Sequence, residues 1–203
     1  MPRCIAFVGA GGKTTAISKL AAELAATGKR VRISTTTKIY PFTPENPLIT
    51  VHGKAASGGK LAMPDNLAEL SAEEGFLLIE ADGSHMLPLK MTAEYEPVIP
   101  DFAKAVVIVA GMSCIGRPLG EACHRPELAA ELLQTEFDHK LTPEDVAAII
   151  RACYIEKAPL LCPQAELVVL LNQADDEARQ NAAKSIAGCL PEMRCVIASL
   201  NKT

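Results

Sequence analysis

The segment Val8-Gly9-Ala10-Gly11-Gly12-Lys13-Thr14-Thr15 limits what this chain can fold into more than any other. It follows a short apolar run, Cys4 to Val8, with the pattern of a buried strand. It precedes Lys13 to Thr27, where Ile17, Leu20, Ala21 and Leu24 fall on one helical face, and Gly28 suits the position just past a helix end. Strand, glycine cluster and amphipathic helix in direct succession describe a tight turn onto a helix N-terminus. Glycines there let successive backbone N–H groups point into one concavity, and a Lys and a hydroxyl follow for outer phosphates and magnesium. The segment reads as a phosphate-binding loop, with Gly9, Ala10, Gly11, Gly12, Lys13, Thr14 and Thr15 contacting a nucleotide and Lys13 also catalytic. Gly9 lies two residues closer to Gly12 than the common G-x-x-x-x-G-K-[ST] form requires. The plainer alternative is a glycine-rich turn in which Lys13 is a solvated charge.

Further apolar runs occur at Arg30 to Thr36, Leu48 to Val51, Phe76 to Ile79, Ala105 to Ala110, Leu167 to Leu171 and Cys195 to Ala198. Strands that are apolar throughout and alternate with helices imply a largely parallel sheet with helices on both faces. Pro41 to Met63 reads as a long loop around the Leu48 run, and Asp65 to Glu74 as a short helix. Between Gly111 and Ala165 two helices are expected. One is Pro126 to Gln134; the other opens at Thr142-Pro143-Glu144-Asp145, with Thr as cap and Pro in the first turn. The expectation is an α/β fold, P-loop NTPase-like, as a single domain over 1–203 with a helical insert at about 112–165.

Composition removes several function classes. A net charge of -4, no Trp and only 4% aromatic residues disfavour nucleic-acid binding, which draws on surface cations and stacking platforms. No apolar stretch approaches the roughly 20 residues of a membrane helix. Seven cysteines are an odd count without C-x-x-C spacing, so reduced thiols and a cytoplasmic setting are expected. Cys4 and Cys195 fall in strands as packing residues, while a thiolate at Cys114 or Cys123 would be able to carry sulfur or selenium.

Other chemistry-bearing residues follow the predicted strands, and strand carboxyl ends in a parallel sheet share one rim. Glu80 and Asp82 close Phe76-Leu-Leu-Ile-Glu80-Ala-Asp82-Gly83; with Thr14 they are the candidate magnesium ligands and, with Lys13, the candidate catalytic groups. If the strand persists, both carboxylates point to the same side. Thr37 and Lys38, within Thr35-Thr36-Thr37-Lys38, are candidates for holding an anion. Asn172 and Asp175, in Asn172-Gln173-Ala174-Asp175, resemble the Asn-Lys-x-Asp base-reading motif of GTPases, with Gln173 in the Lys position. Ala198-Ser199-Leu200 echoes the fifth GTPase motif, and the Gly-x-x-Gly-Lys-Thr-Thr form resembles the short loop of Mur-type peptide ligases.

The ordered set Val8 to Thr15, Thr35 to Lys38, Glu80 to Gly83, Pro88-Leu-Lys90, Glu96-Pro-Val-Ile-Pro100, His124-Arg-Pro-Glu127 and Asn172 to Asp175 resembles the YqeC-type family. That resemblance implies an accessory protein for selenium-dependent molybdenum hydroxylases, which binds GTP or ATP with magnesium during maturation of the cofactor. A molybdopterin or selenium compound, and the hydroxylase or its maturation enzymes, are the implied partners. Lys90, His124 and Arg125 supply the cations for such an anionic compound. Three activities fit this reading: an NTPase accessory factor, a small-molecule kinase or ligase acting on a pterin or selenium substrate, and a non-enzymatic nucleotide-gated cofactor chaperone.

Overall fold

The computed structural model describes residues 3–200. In chain order the elements are β1 (Cys4–Gly9), α1 (Lys13–Ala26), β2 (Val31–Thr35), β3 (Lys38–Ile39), β4 (Ile49–Val51), β5 (Lys54–Ala55), β6 (Leu61–Ala62), α2 (Leu67–Ala72), β7 (Phe76–Glu80) and β8 (Leu89–Lys90). There follow β9 (Ala105–Gly111), α3 (Leu119–Ala122), β10 (Cys123–His124), α4 (Pro126–Leu133), α5 (Pro143–Ile150), α6 (Ala158–Leu161), β11 (Glu166–Asn172), α7 (Glu177–Cys189) and β12 (Arg194–Ile197).

Seven strands form one sheet in the order β12-β11-β9-β1-β7-β2-β4, and every neighbouring pair in it is parallel. They coincide, within a residue or two at the ends, with the seven apolar runs. Alternation within each strand sends side chains to both faces, and over the inner strands β1, β2 and β7 both are covered. Ile5, Phe7, Val31, Ile33 and Leu78 pack against Ile17, Ala21 and Leu24 of α1. Ala6, Val8, Leu77, Ile79, Ile108 and Leu171 pack on the opposite face with Leu70 of α2, Ile149 of α5 and Ile186 of α7. Each large apolar side chain buried this way contributes roughly 1.5–3 kcal/mol, so the sheet is the stable frame on which the loops stand.

The sheet order places the site. From β1 the chain moves outward to β2 and β4, returns to insert β7 beside β1, then crosses to β9 and beyond. The direction of winding reverses around β1, and such a reversal opens a crevice at the strand carboxyl ends. The loops after β1, β7, β9 and β11 all leave from that rim.

Two smaller sheets lie outside the expectation. A three-stranded antiparallel sheet, β3-β6-β5, occupies part of the stretch read as loop, and β8 pairs in parallel with β10. Two-residue strands are too short to show any periodicity, so tertiary contact alone makes them. Helix α7 was not anticipated either. Its buried residues are only Ala182, Ala183 and Ile186, a stripe too small to stand out, and its start is fixed by Asp176, whose carboxylate accepts the Arg179 N–H at 2.9 Å. The expected cap at Thr142 is present as a full capping box with Asp145, and Pro143 opens α5. Between β9 and β11 the chain holds α3, β10, α4, α5, a π-helical turn at Arg151–Ile155, and α6. No helix among the described residues is long and apolar enough to cross a membrane.

Candidate functional site

The glycine loop joins β1 to α1 at the centre of the rim. Gly9 and Gly11 have φ of +93° and +85°, and a Cβ on either would strike backbone of β9, at Val109 O and Gly111 N respectively. Glycine is required here for close approach as well as for backbone conformation. Gly12, also left-handed, is the N-cap of α1, and no side chain caps the helix. The first-turn N–H groups of α1 therefore face the rim without an intrahelical acceptor.

Two carboxylates meet the loop by different routes. Glu80, the last residue of β7, accepts a hydrogen bond from Thr14 Oγ1 at 2.9 Å. This pairing follows from register, because β7 is the direct neighbour of β1 and Phe7 sits opposite Glu80. Burial pushes the Glu80 carboxyl up, against the opposing pull of Lys13 and the Thr14 hydrogen bond. Asp82 behaves differently. The strand ends at Glu80, so the two side chains do not simply repeat along one face, and Asp82 turns inward to 2% exposure. Its Oδ2 accepts the Gly9 N–H at 2.9 Å and the Tyr154 hydroxyl at 3.1 Å; its Oδ1 lies 3.1 Å from Lys13 Nζ. Lys13, 4% exposed, also donates to Gly9 O at 2.5 Å. Asp82 thus fixes the shape of the loop, whereas Glu80 and Thr14 present oxygens to its open side.

Tyr154 had no signal in the sequence. It comes from the π-helical turn after α5, and its hydroxyl is pushed well up by burial and by Asp82. It stays protonated and donates.

The 172–175 corner closes the loop from the other flank. Asn172 is fully buried; its Nδ2 donates to Gly11 O at 2.8 Å and its Oδ1 accepts the Leu200 N–H at 3.1 Å. Asp175 accepts from Ser199 Oγ and lies 3.4 Å from Arg179. These contacts tie Asn172 to Asp175, and the turn after β12, to the glycine loop. Gln173, with φ of +61°, accepts from Ser113 Oγ at 2.5 Å.

The anion candidates divide into two groups. Thr37 and Lys38 line the cleft above the loop, together with Gly12, Lys13, Thr14 and Glu80. Lys90, His124 and Arg125 are brought together by the β8–β10 ladder, in which His124 sits opposite Lys90, but they do not form an open pocket. The Lys90 side chain is completely buried, 3.4 Å from Asp82 and 3.0 Å from Glu96. Arg125 pairs with Glu96 at 2.6 Å and donates to Met91 O. These two cations neutralise carboxylates of the interior, so the reading of Lys90 and Arg125 as an open anion pocket is corrected by their pairing. His124 is half-buried and stacks on His85, with centroids 4.4 Å apart. Burial, then Arg125 and His85, lower its basicity, so it is neutral near pH 7. The other histidines have partners too: His139 meets Asp145 at 2.7 Å, and His52 meets Thr50 at 2.8 Å.

Five of the seven thiols, those of Cys4, Cys114, Cys123, Cys153 and Cys162, are buried. Burial pushes Cys4, Cys114 and Cys123 up to about 12, which leaves essentially no thiolate at neutral pH. Both candidate relay thiols, Cys114 and Cys123, lie in the core rather than on the rim.

Fold and site together define a class: an α/β protein built on a large parallel sheet, with a glycine-loop site at its carboxyl rim. Within that class the chain belongs to the YqeC family, whose model, described as "YqeC protein", matches residues 5–127. The chain is also 33% identical over 174 residues to "Uncharacterized protein YqeC" of Escherichia coli (strain K12), covering 74% of this chain and 68% of the relative. The family match includes the glycine loop, Glu80, Asp82, Lys90 and His124, and stops short of Asn172 to Asp175.

Proposed function

We propose that this chain binds a nucleoside triphosphate with magnesium at the Gly9 to Thr15 loop, in a P-loop NTPase-like manner. On this reading it works as a nucleotide-dependent accessory protein in maturation of a selenium- or molybdenum-containing hydroxylase. The observation that carries the nucleotide part is the Thr14 to Glu80 hydrogen bond at 2.9 Å, on the open side of a glycine loop at a helix N-terminus. The accessory role rests on family membership alone.

Magnesium takes hard oxygen ligands and keeps several for water and phosphate, so a hydroxyl and a carboxylate are a fitting donor pair. Among the described residues no cluster of three or more His, Cys, Asp or Glu is arranged to hold a metal, in keeping with a cation shared between protein and phosphates. Thr14 and Glu80 would hold the ion, which screens phosphate charge when bound. The first-turn N–H groups of α1 and Lys13 bind and orient the phosphates. The base-reading role is assigned to the Asn172 to Asp175 corner on its likeness to the GTPase motif, and the Asp175 carboxylate there accepts a hydrogen bond from Ser199.

The test is calorimetric titration with ATP and with GTP, each with and without magnesium. Magnesium-dependent binding of one of them is expected, reduced at least tenfold by Thr14→Val, roughly the loss of one good polar contact. Thr14 is exposed, so that variant should keep its fold. Affinity indifferent to magnesium and unchanged in both Thr14→Val and Lys13→Ala would overturn the reading.

A further inference from the structure

The cleft above the glycine loop is larger than the loop requires. Its volume is about 1120 Å³, whereas pockets holding one drug-sized ligand span roughly 300–1,000 Å³. One end is formed by Gly12, Lys13, Thr14 and Glu80. The other is built from separate elements: Lys38 and Tyr40 from β3 and the residue after it, Lys60 and Met63 flanking β6, and His85 and Met86 from the turn after β7. Asn172 and Asp175 do not line it, and Gln173 alone reaches it from that corner. The cleft therefore extends beyond the phosphate end of the site onto elements that the proposed base corner does not supply. A nucleotide bound as proposed leaves its outer half open.

That half has a definite chemistry. Lys13, Lys38 and Lys60 line the cleft against one carboxylate, Glu80, in a chain whose net charge is -4. Lys13 is engaged by Asp82, but neither Lys38 nor Lys60 makes a salt bridge among the described residues. Lys60 Nζ instead lies 4.7 Å over the Tyr40 ring, which holds the cation beside an aromatic face. Tyr40, Met63 and Met86 are 67%, 49% and 98% exposed, so three large apolar side chains converge on the mouth of the cleft. His85 and Met86 have φ of +50° and +64°, a conformation uncommon for residues other than glycine. The stacking of His85 on His124 pins this turn in place.

We propose that the outer half of the cleft is a second-ligand site for a small anion with a flat apolar body, an aromatic phosphate monoester or carboxylate. Lys38 and Lys60 receive its charge, and Tyr40, Met63 and Met86 cover its ring. The inference deepens the nucleotide reading and rests on it for the neighbour that occupies the loop.

The probe is 4-methylumbelliferyl phosphate, titrated into the full chain with magnesium and a non-hydrolysable ATP or GTP analogue, and separately without nucleotide. One saturable site is expected, weakened at least tenfold by Lys38→Ala and by Lys60→Ala, about the effect of losing one charge-assisted contact. Neutral 4-methylumbelliferone should bind at least tenfold more weakly than its phosphate. Unchanged melting temperatures establish that both variants fold. Absence of saturable binding in both conditions, or binding that both variants retain, overturns the proposal. Equal affinity for the neutral compound overturns it as well. Lysine-dependent binding by a chain that takes up no nucleotide upholds the site and removes the nucleotide reading instead.

Discussion

Replacing Glu96 with Gln removes the carboxylate that Lys90 and Arg125 share. Its Oε2 lies 3.0 Å from Lys90 Nζ and 2.6 Å from the Arg125 guanidinium, and accepts the Ala93 N–H at 3.2 Å. Burial pushes this carboxyl up, but Arg125, Lys90 and the Ala93 N–H outweigh it and hold it at about 2, against an ordinary 4.5. At ~1.4 kcal/mol per pH unit, that gap corresponds to about 3 kcal/mol of folding free energy at pH 7. A second route gives a similar size, because stripping one partner from a buried ion pair costs roughly 3–5 kcal/mol. Lys90, fully buried, would be left with Asp82 alone, 3.4 Å away. For a chain of this length the melting temperature should fall by roughly 6–12 °C. Urea unfolding of wild type and Glu96→Gln, stepped from pH 7 to pH 3, is the assay. Because the folded value lies below the unfolded one, the contribution is complete above the unfolded value and fades as pH falls towards the folded one. The gap between wild type and variant should therefore be roughly halved by pH 3. A variant as stable as wild type at pH 7, or a gap equal at pH 3 and pH 7, would refute the network as the source of this stability.

Thr142→Ala should cost about 1 kcal/mol and lower the melting temperature by roughly 2–4 °C, with Thr142→Ser close to wild type; no loss on calorimetry would mean that the capping box contributes nothing. With a thiol-reactive disulfide reagent at pH 8, exposed Cys189 should react quickly, and Cys4, Cys114 and Cys123 only after urea unfolding. Rapid labelling of Cys114 or Cys123 in the folded protein would contradict their burial.

The large sheet was legible because its central strands β1, β7 and β9 are apolar on both faces, a pattern typical of parallel sheets covered on both sides. Glu80 could be placed beside the loop for the same reason: the end of an apolar strand is visible in sequence, and parallel strands share a rim. What could not be read depends on contacts between residues far apart in the chain. Lys90 looks like any surface lysine, and only the β8–β10 pairing and the inward turn of Asp82 reveal it as interior. Tyr154 reaches Asp82 across 72 residues, from a π-helical turn that no local pattern announces. Tyr40, Lys60 and Met63 come together through two-residue strands, which have no periodicity to detect.

The same contacts fix the shape of the loop. Three cations, Lys13, Lys90 and Arg125, face two carboxylates, Asp82 and Glu96, across one continuous interior network. Isolated buried charge is costly, so the pairs must form, yet one positive charge is left over. Lys90 and Arg125 are committed to the interior and to Glu96. Lys13, though buried, lines the cleft, and its partners are Asp82 and the carbonyl of Gly9. Burial pushes the Glu80 carboxyl up, while Lys13 and the Thr14 hydrogen bond pull it down. On the proposed reading, a phosphate entering the loop meets Lys13, which alone of the three cations lines the cleft, beside helix N–H groups that have no intrahelical acceptor. Asp82 then has two tasks that pull in different directions. It shapes the loop through the Gly9 N–H, which favours phosphate entry, and it holds Lys13 back, which opposes entry. On the proposed reading, the balance between them, rather than the count of glycines, sets how tightly the loop takes an anion.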